Sequence, residues 1–148
     1  MTAPTLSQTI AFVRSAFANV TDKGRQPYAE HCIRVMERLP ADATEDERRA
    51  ALLHDVLEDL PVLASDLRDM GYSPRTIWLV AQLTRDEEEE SYCDYIRRIK
   101  ATGDAGLIAI KLADLADNLD FERLLRLQYN RRETFKRRYE SARRALME

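Results

Sequence analysis

Leu107-Ile108-Ala109-Ile110-Lys111-Leu112-Ala113-Asp114-Leu115-Ala116-Asp117-Asn118-Leu119-Asp120 reads as the central helix of an all-helical chain. Its apolar residues recur at the helical period, and Leu112, Leu115 and Leu119 mark one face. Lys111, Asp114 and Asn118 stand at i, i+3 and i+7, a stripe on another. A cation, a carboxylate and an amide on one stripe suit a site that holds a metal ion and an anionic ligand together. Gly103 ends the segment before this helix, and Asp104 is placed to cap it.

Outward from this helix, every periodic segment has the helical period and none alternates over the length of a strand. Ile10, Val13, Phe17 and Val20 form a stripe of a first helix that starts near Thr5 or Ser7 and stops before Asp22-Lys23-Gly24. Pro27 suits the first turn of a second, with Cys32, Val35, Met36 and Leu39 inward, His31 one position from that face, and Leu39-Pro40 at its end. Thr44-Glu45-Asp46-Glu47 has the capping-box pattern and opens a third helix, which carries Ala50, Leu53, Val56, Leu57 and Leu60 inward before Pro61. His54-Asp55 is thereby expected mid-helix. A short helix over 62–70 ends at Gly71, Ser73-Pro74 starts one carrying Ile77, Trp78, Val80 and Ala81 inward, and Ser91 starts one lined by Tyr92, Tyr95, Ile96 and Ile99. From Phe121 to Met147 the pattern is helical again, with Glu122/Arg126, Glu133/Arg137 and Glu140/Arg144 at i,i+4, each pair worth roughly a few tenths of a kcal/mol. The expectation is an all-α bundle of about seven to eight helices.

At 148 residues the chain has the size of one domain with one core. Charged residues make up 33%, Gly and Pro are scarce, and no stretch approaches the roughly 20 apolar residues of a membrane span. The N-terminus carries no positive charge leading into an apolar run, so no secretory signal is expected and the cytoplasm follows. Cys32 and Cys93 form no CxxC pair, which argues against a disulfide or a thiolate metal site. Cys32 is expected to be a small buried residue. The formal charge of −3 gives no overall bias towards nucleic acid, and the glutamates interleaved in the Arg-rich segment after Arg123 argue against a surface that tracks phosphates. Residues 86–90 read as a solvated acidic loop.

The chain has two histidines, and one opens the block His54-Asp55-Val56-Leu57-Glu58-Asp59. His54 and Glu58 lie one helical turn apart, as do Asp55 and Asp59, which makes two adjacent columns of ligand-type side chains. An imidazole and three carboxylates beside a core face are costly to desolvate unless a cation or hydrogen bonds compensate them. A bound metal resolves that conflict.

Four stretches carry a family resemblance: Asp22-Lys23-Gly24-Arg25-Gln26-Pro27-Tyr28-Ala29-Glu30-His31, Ala50-Ala51-Leu52-Leu53-His54-Asp55-Val56-Leu57-Glu58-Asp59, Leu83-Thr84-Arg85, and Lys111-Leu112-Ala113-Asp114 with Asn118. In this order the chain resembles the HD superfamily of metal-dependent phosphohydrolases, and within it the branch of guanosine tetraphosphate (ppGpp) hydrolases and their small stand-alone relatives. The resemblance implies a single HD domain over 1–148, with His31, His54, Asp55 and Asp114 as metal ligands. Glu58 and Asp59 would serve the water and phosphate chemistry, and Lys23, Lys111 and Asn118 would line the substrate. Two imidazoles and two carboxylates suit Mn²⁺ first, with Fe²⁺ or Zn²⁺ as alternatives. Lys111 is equally placed to pair with Asp114, Lys23 to be a solvated loop charge, and Asn118 to end its helix.

The departures concern the substrate rim. Guanosine-specific relatives usually carry Arg-Lys where this chain has Asp22-Lys23, His at Phe17, Pro at Cys32, and Arg-Leu-His at Leu115-Ala116-Asp117. In those relatives the Arg at the first of these positions helps to hold the guanine. The functional expectation is hydrolysis of a phosphoester or pyrophosphate bond in a small phosphorylated metabolite, a nucleotide, with ppGpp the named candidate. The alternatives are a nucleoside monophosphate phosphatase and a non-catalytic module that binds metal or nucleotide.

Overall fold

The computed structural model describes residues 2–148, and these form ten helical segments with no strand among them. They are α1 (Leu6–Ala16), α2 (Tyr28–Glu37), α3 (Glu45–Leu53), α4 (Val56–Asp59), α5 (Ala64–Asp69), α6 (Pro74–Leu83), α7 (Tyr92–Ala101), α8 (Ala105–Asn118), α9 (Phe121–Leu125) and α10 (Tyr129–Met147). α8 is the central helix the sequence predicts, packed against α2 on one side and α10 on another, while α3 packs against α1, α2 and α6. One cluster of buried apolar side chains runs between them, with Leu52, Leu53, Leu79, Ile99, Leu107, Ile110 and Leu115 at its centre. No helix among the described residues is long and apolar enough to cross a membrane.

Most helix starts follow the expected capping chemistry. Thr5 and Thr44 each accept from the backbone N–H three residues on, while the side chains of Gln8 and Glu47 reach back to complete capping boxes. Ser73, Ser91 and Asp104 cap α6, α7 and α8 in the same way. Gly103, with φ of 63°, ends α7 in the left-handed conformation that glycine adopts without strain.

The structure departs from the sequence expectation in several places, and two breaks in expected helices account for the extra segments. The third helix does not run through to Leu60. It stops at Leu53, His54 bonds back only to Ala51, and Asp55 adopts φ −106°, ψ 3° before α4 begins. Successive residues of an unbroken helix diverge by about 100°, so this break is what lets His54 and Asp55 both turn to one side. The C-terminal stretch is likewise divided. Asp120 caps α9, and Arg132 donates to the carbonyls of Leu124 and Leu127, satisfying the end of α9 before α10 begins.

α1 stops at Ala16, and Val20 lies outside it because its carbonyl accepts from the Tyr28 N–H in the turn that an isolated Thr21–Pro27 bridge closes. The inward face of α6 is Thr76, Leu79, Val80 and Leu83, with Trp78 half-exposed and Ala81 exposed. The register is shifted because Thr76 is anchored inward on Asp46. None of the expected Glu122/Arg126, Glu133/Arg137 and Glu140/Arg144 pairs closes among the described residues; same-helix ion pairs form instead at Arg49 with Glu45 and Asp46, Arg97 with Asp94, and Lys111 with Asp114. Long exposed side chains gain little from pairing in water.

Ile110 is fully buried in α8 whereas Leu63 is 66% exposed. Ile110→Ala is expected to lower the unfolding free energy in urea by about 2–5 kcal/mol, and Leu63→Ala to stay within about 0.5 kcal/mol of the wild type. Equal losses in the two variants would contradict this placement of the core.

Candidate metal centre

His31 comes from the first turns of α2, His54 and Asp55 from the break after α3, and Asp114 from the last turns of α8. One donor atom from each of His31, His54 and Asp114 lies within 4.8 Å of the other two. Asp114 Oδ1 is 3.0 Å from His31 Nε2 and 3.3 Å from His54 Nε2, and all three side chains are buried. Asp55 stands beside this trio, its Oδ2 2.8 Å from His54 Nε2, and accepts a hydrogen bond from the Tyr28 hydroxyl.

The orientation of the two imidazoles is the decisive detail. His54 Nδ1 donates to the Ala51 carbonyl at 2.7 Å, so its Nε2 carries the lone pair in the neutral ring. That Nε2 is buried and finds no hydrogen-bond partner of acceptable geometry, although two carboxylate oxygens lie close to it. Nitrogen and oxygens are arranged around a common point rather than as donor and acceptor. His31 Nδ1 lies 2.7 Å from Asp117 Oδ2, and a contact that short onto a carboxylate needs the proton on Nδ1, which again leaves Nε2 facing Asp114. A ligand histidine whose other nitrogen is held by a carbonyl or carboxylate is the usual support of a metal site. The donor set therefore fits a divalent ion.

Electrostatics point the same way. Burial works against charge on His54, but Asp55 and Asp114 beside it hold its pKa well above the usual value. Burial opposes ionisation of Asp114 too, yet Lys111 and His54 hold it well below the carboxylate range. In the absence of an ion, protons supply the positive charge this cluster requires, and metal binding releases them. Burial pushes the Cys32 thiol up to about 12, so it stays a neutral core group.

Over the cluster opens a cavity of about 360 Å³ lined by Asp55, Glu58, Asp59, Lys111, Asp114 and Asn118 and by the loop carrying Lys23. This corrects the two columns expected of a continuous helix: with the helix broken, His54 lies buried behind the cavity while Glu58 and Asp59 open onto it. Glu58 Oε1 accepts from the Arg85 backbone N–H at 2.7 Å, which fixes its carboxylate. Partial burial, then the charges of Asp55 and Glu58, push Asp59 up to about 7. Lys111 is buried and donates to Asp114 Oδ2 at 2.6 Å, while the rings of Tyr92 and Tyr95 face its ammonium. Lys23 lies over Phe135 with its Nζ 4.2 Å from the ring centroid, and Asn118 bonds Asp114.

Sequence reasoning missed Asp117, Tyr28 and the wall that α10 supplies through Phe135, Arg138 and Tyr139. Asp117 carried a usable signal, because an Asp three residues after Asp114 flanks the same stripe of an otherwise apolar helix. The α10 residues carried none, since only the tertiary fold brings them to the cavity.

No protein-family model and no curated protein sequence matches the chain. Among solved structures, it is similar to one described as a metazoan orthologue of SpoT that hydrolyses ppGpp and plays a role in starvation responses, at 25% identity and a TM-score of 0.78. The match covers 95% of this chain and 84% of that one. The two chains share one fold. In this chain the buried His-His-Asp cluster lies at the base of the cavity.

The raised Asp59 carboxyl also affects the stability of the metal-free protein. The folded protein holds this proton up to about 7, whereas the unfolded chain releases it near the ordinary 3.8. Folding is therefore increasingly opposed as the pH rises through that window. Asp59→Asn removes the opposition, so its gain in Tm over the wild type should be smallest near the low end of the window and largest above it. A gain independent of pH would contradict the assignment.

Proposed function

We propose that residues 1–148 form a single HD domain that hydrolyses a phosphoester or pyrophosphate bond in a small phosphorylated nucleotide, with ppGpp as the first candidate. The observation that carries this reading is the meeting, in one cavity, of a metal-type ligand cluster with cations that no carboxylate neutralises. Among the described residues Lys23 and Arg138 form no ion pair and lie instead over the rings of Phe135 and Tyr92. The likeness to a structure described as a ppGpp hydrolase supports the candidate.

In this reading His31, His54, Asp55 and Asp114 hold one divalent ion, Mn²⁺ by preference and Fe²⁺ or Zn²⁺ otherwise. When bound, the ion supplies an acidified water at neutral pH and polarises a phosphoryl oxygen. Asp59, free of hydrogen-bonded side-chain partners and titrating near neutrality, moves the proton between the attacking water and the leaving oxygen. Glu58, pinned by the Arg85 N–H, orients the water. Lys111 and Lys23 offset phosphate charge as it grows in the transition state, and Asn118 offers its amide to the substrate on the same wall.

One observation favours a second reading, a nucleoside monophosphate phosphatase. Asp22 stands where guanosine-specific relatives carry the Arg that helps to hold the base, and its carboxylate is turned to its own loop and to Arg123.

The test is pyrophosphate release from ppGpp and orthophosphate release from a nucleotide panel, with Mn²⁺-loaded protein. Turnover is expected to fall by about 10²–10⁴ in Asp59→Asn and to vanish in Asp55→Ala. Pyrophosphate as product supports the first reading and orthophosphate alone the second. Turnover no greater than that of Asp55→Ala on every substrate would contradict an enzyme.

A further inference from the structure

Two of the positions at which the chain departs from the family it resembles, Asp22 and Asp117, are the two ends of one hydrogen-bonded chain. Asp22 Oδ1 accepts the N–H groups of Gly24 and Gln26, and its Oδ2 accepts from Arg123 Nε and Nη2 at 3.3 and 3.2 Å. Arg123 Nη1 has two hydrogens, and these serve Asn118 Oδ1 at 2.7 Å and Asp117 Oδ2 at 3.2 Å. Asp117, with no exposed surface, also accepts from Arg34 Nε and Nη2 and from Arg38 Nε, and its Oδ2 accepts the Nδ1–H of His31. Gly24 is fitted to this clamp, since a Cβ there would stand 2.8 Å from Arg126 Cβ.

We propose that Asp117 is a positioning residue that fixes the tautomer of His31, and that Asp22 and Arg123 are its brace. The geometry contains the competitor as well as the support. Arg123 Nη1 lies 2.9 Å from His31 Nδ1, close enough to donate to it. The two contacts compete for Nδ1: the ionised Asp117 Oδ2 is nearer, at 2.7 Å, and accepts the Nδ1–H, while Arg123 is drawn towards Asp22, Asp117 and Asn118. If the charge at 117 is lost, the guanidinium donates to Nδ1, the ring proton moves to Nε2, and the lone pair that faces Asp114 disappears. Asp22 therefore serves the metal centre through Arg123, and its contact with substrate is not what the acidic side chain provides. The carboxylate and guanidinium fix planes as well as charges, so Lys at 123 would be a poor substitute.

This inference rests on the reading of His31 as a metal ligand, and the experiment separates the two. Mn²⁺ affinity is measured calorimetrically on the wild type, Asp117→Asn, Asp22→Ala, Arg123→Gln and the Asp117→Asn/Arg123→Gln double variant, and the His31 tautomer is read by ¹⁵N NMR on the metal-free proteins at a pH high enough for the ring to be neutral. Asp117→Asn is expected to weaken Mn²⁺ about 10- to 100-fold and to show His31 protonated at Nε2. The double variant should bind more tightly than Asp117→Asn alone, because it lacks the competing donor. Asp22→Ala should weaken Mn²⁺ roughly threefold when Arg123 is present and not in the Arg123→Gln background. A wild type that binds no Mn²⁺ overturns the metal reading and this inference with it. A wild type that binds, with Asp117→Asn or, should that variant not fold, Asp22→Ala binding equally well, overturns this inference alone.

Discussion

Asp114 is a carboxylate with 4% of its surface exposed, and the bundle closes around it. An ionised carboxyl in such a place is tolerated only when opposite charge and hydrogen bonds surround it. Lys111 takes one oxygen, and His31, His54 and Asn118 crowd the other. Those partners come from three separate parts of the chain, so satisfying one buried charge ties α2, the break after α3 and α8 together. The apolar cluster supplies the driving force for folding, and the charge cluster adds directional contacts between these elements.

The break at His54-Asp55 is the local distortion that this arrangement requires. A continuous helix would point the two side chains in different directions, and the chain gives up regular hydrogen bonding there to aim both inwards. The same break leaves Glu58 and Asp59 on the short α4, facing the cavity rather than the buried cluster. The buried histidines and Asp114 therefore lie at the base, and the more exposed carboxylates on the wall. Lys23 from the loop after α1 and Arg138 from α10 complete that wall with positive charge.

What could be read from the sequence follows the range of the interactions. Helix caps at Thr5, Thr44, Ser73, Ser91 and Asp104 are local, and all of them stand where the residues predict. The stripe of Lys111, Asp114 and Asn118 is likewise a property of one helix, and it survives intact. The interruption at His54 was hidden because the apolar pattern of Ala50, Leu53, Val56 and Leu57 continues across it, and only the contacts with α2 and α8 show why the helix must stop. Asp117 was passed over because its meaning lies in His31, Arg34 and Arg123, distant in sequence apart from the last. The inward register of α6 was misjudged at Trp78 because the polar Thr76 is buried through its bond to Asp46, and hydropathy carries no trace of that.

His31, His54 and Asp114 converge as the donors of a candidate metal site. Elemental analysis of protein purified without chelators tests this most directly. Near-stoichiometric Mn, Fe or Zn in the wild type, lost in His54→Ala under the same preparation, is the predicted result. A folded wild-type protein that carries no transition metal, and takes up none on dialysis against Mn²⁺ or Zn²⁺, would contradict it.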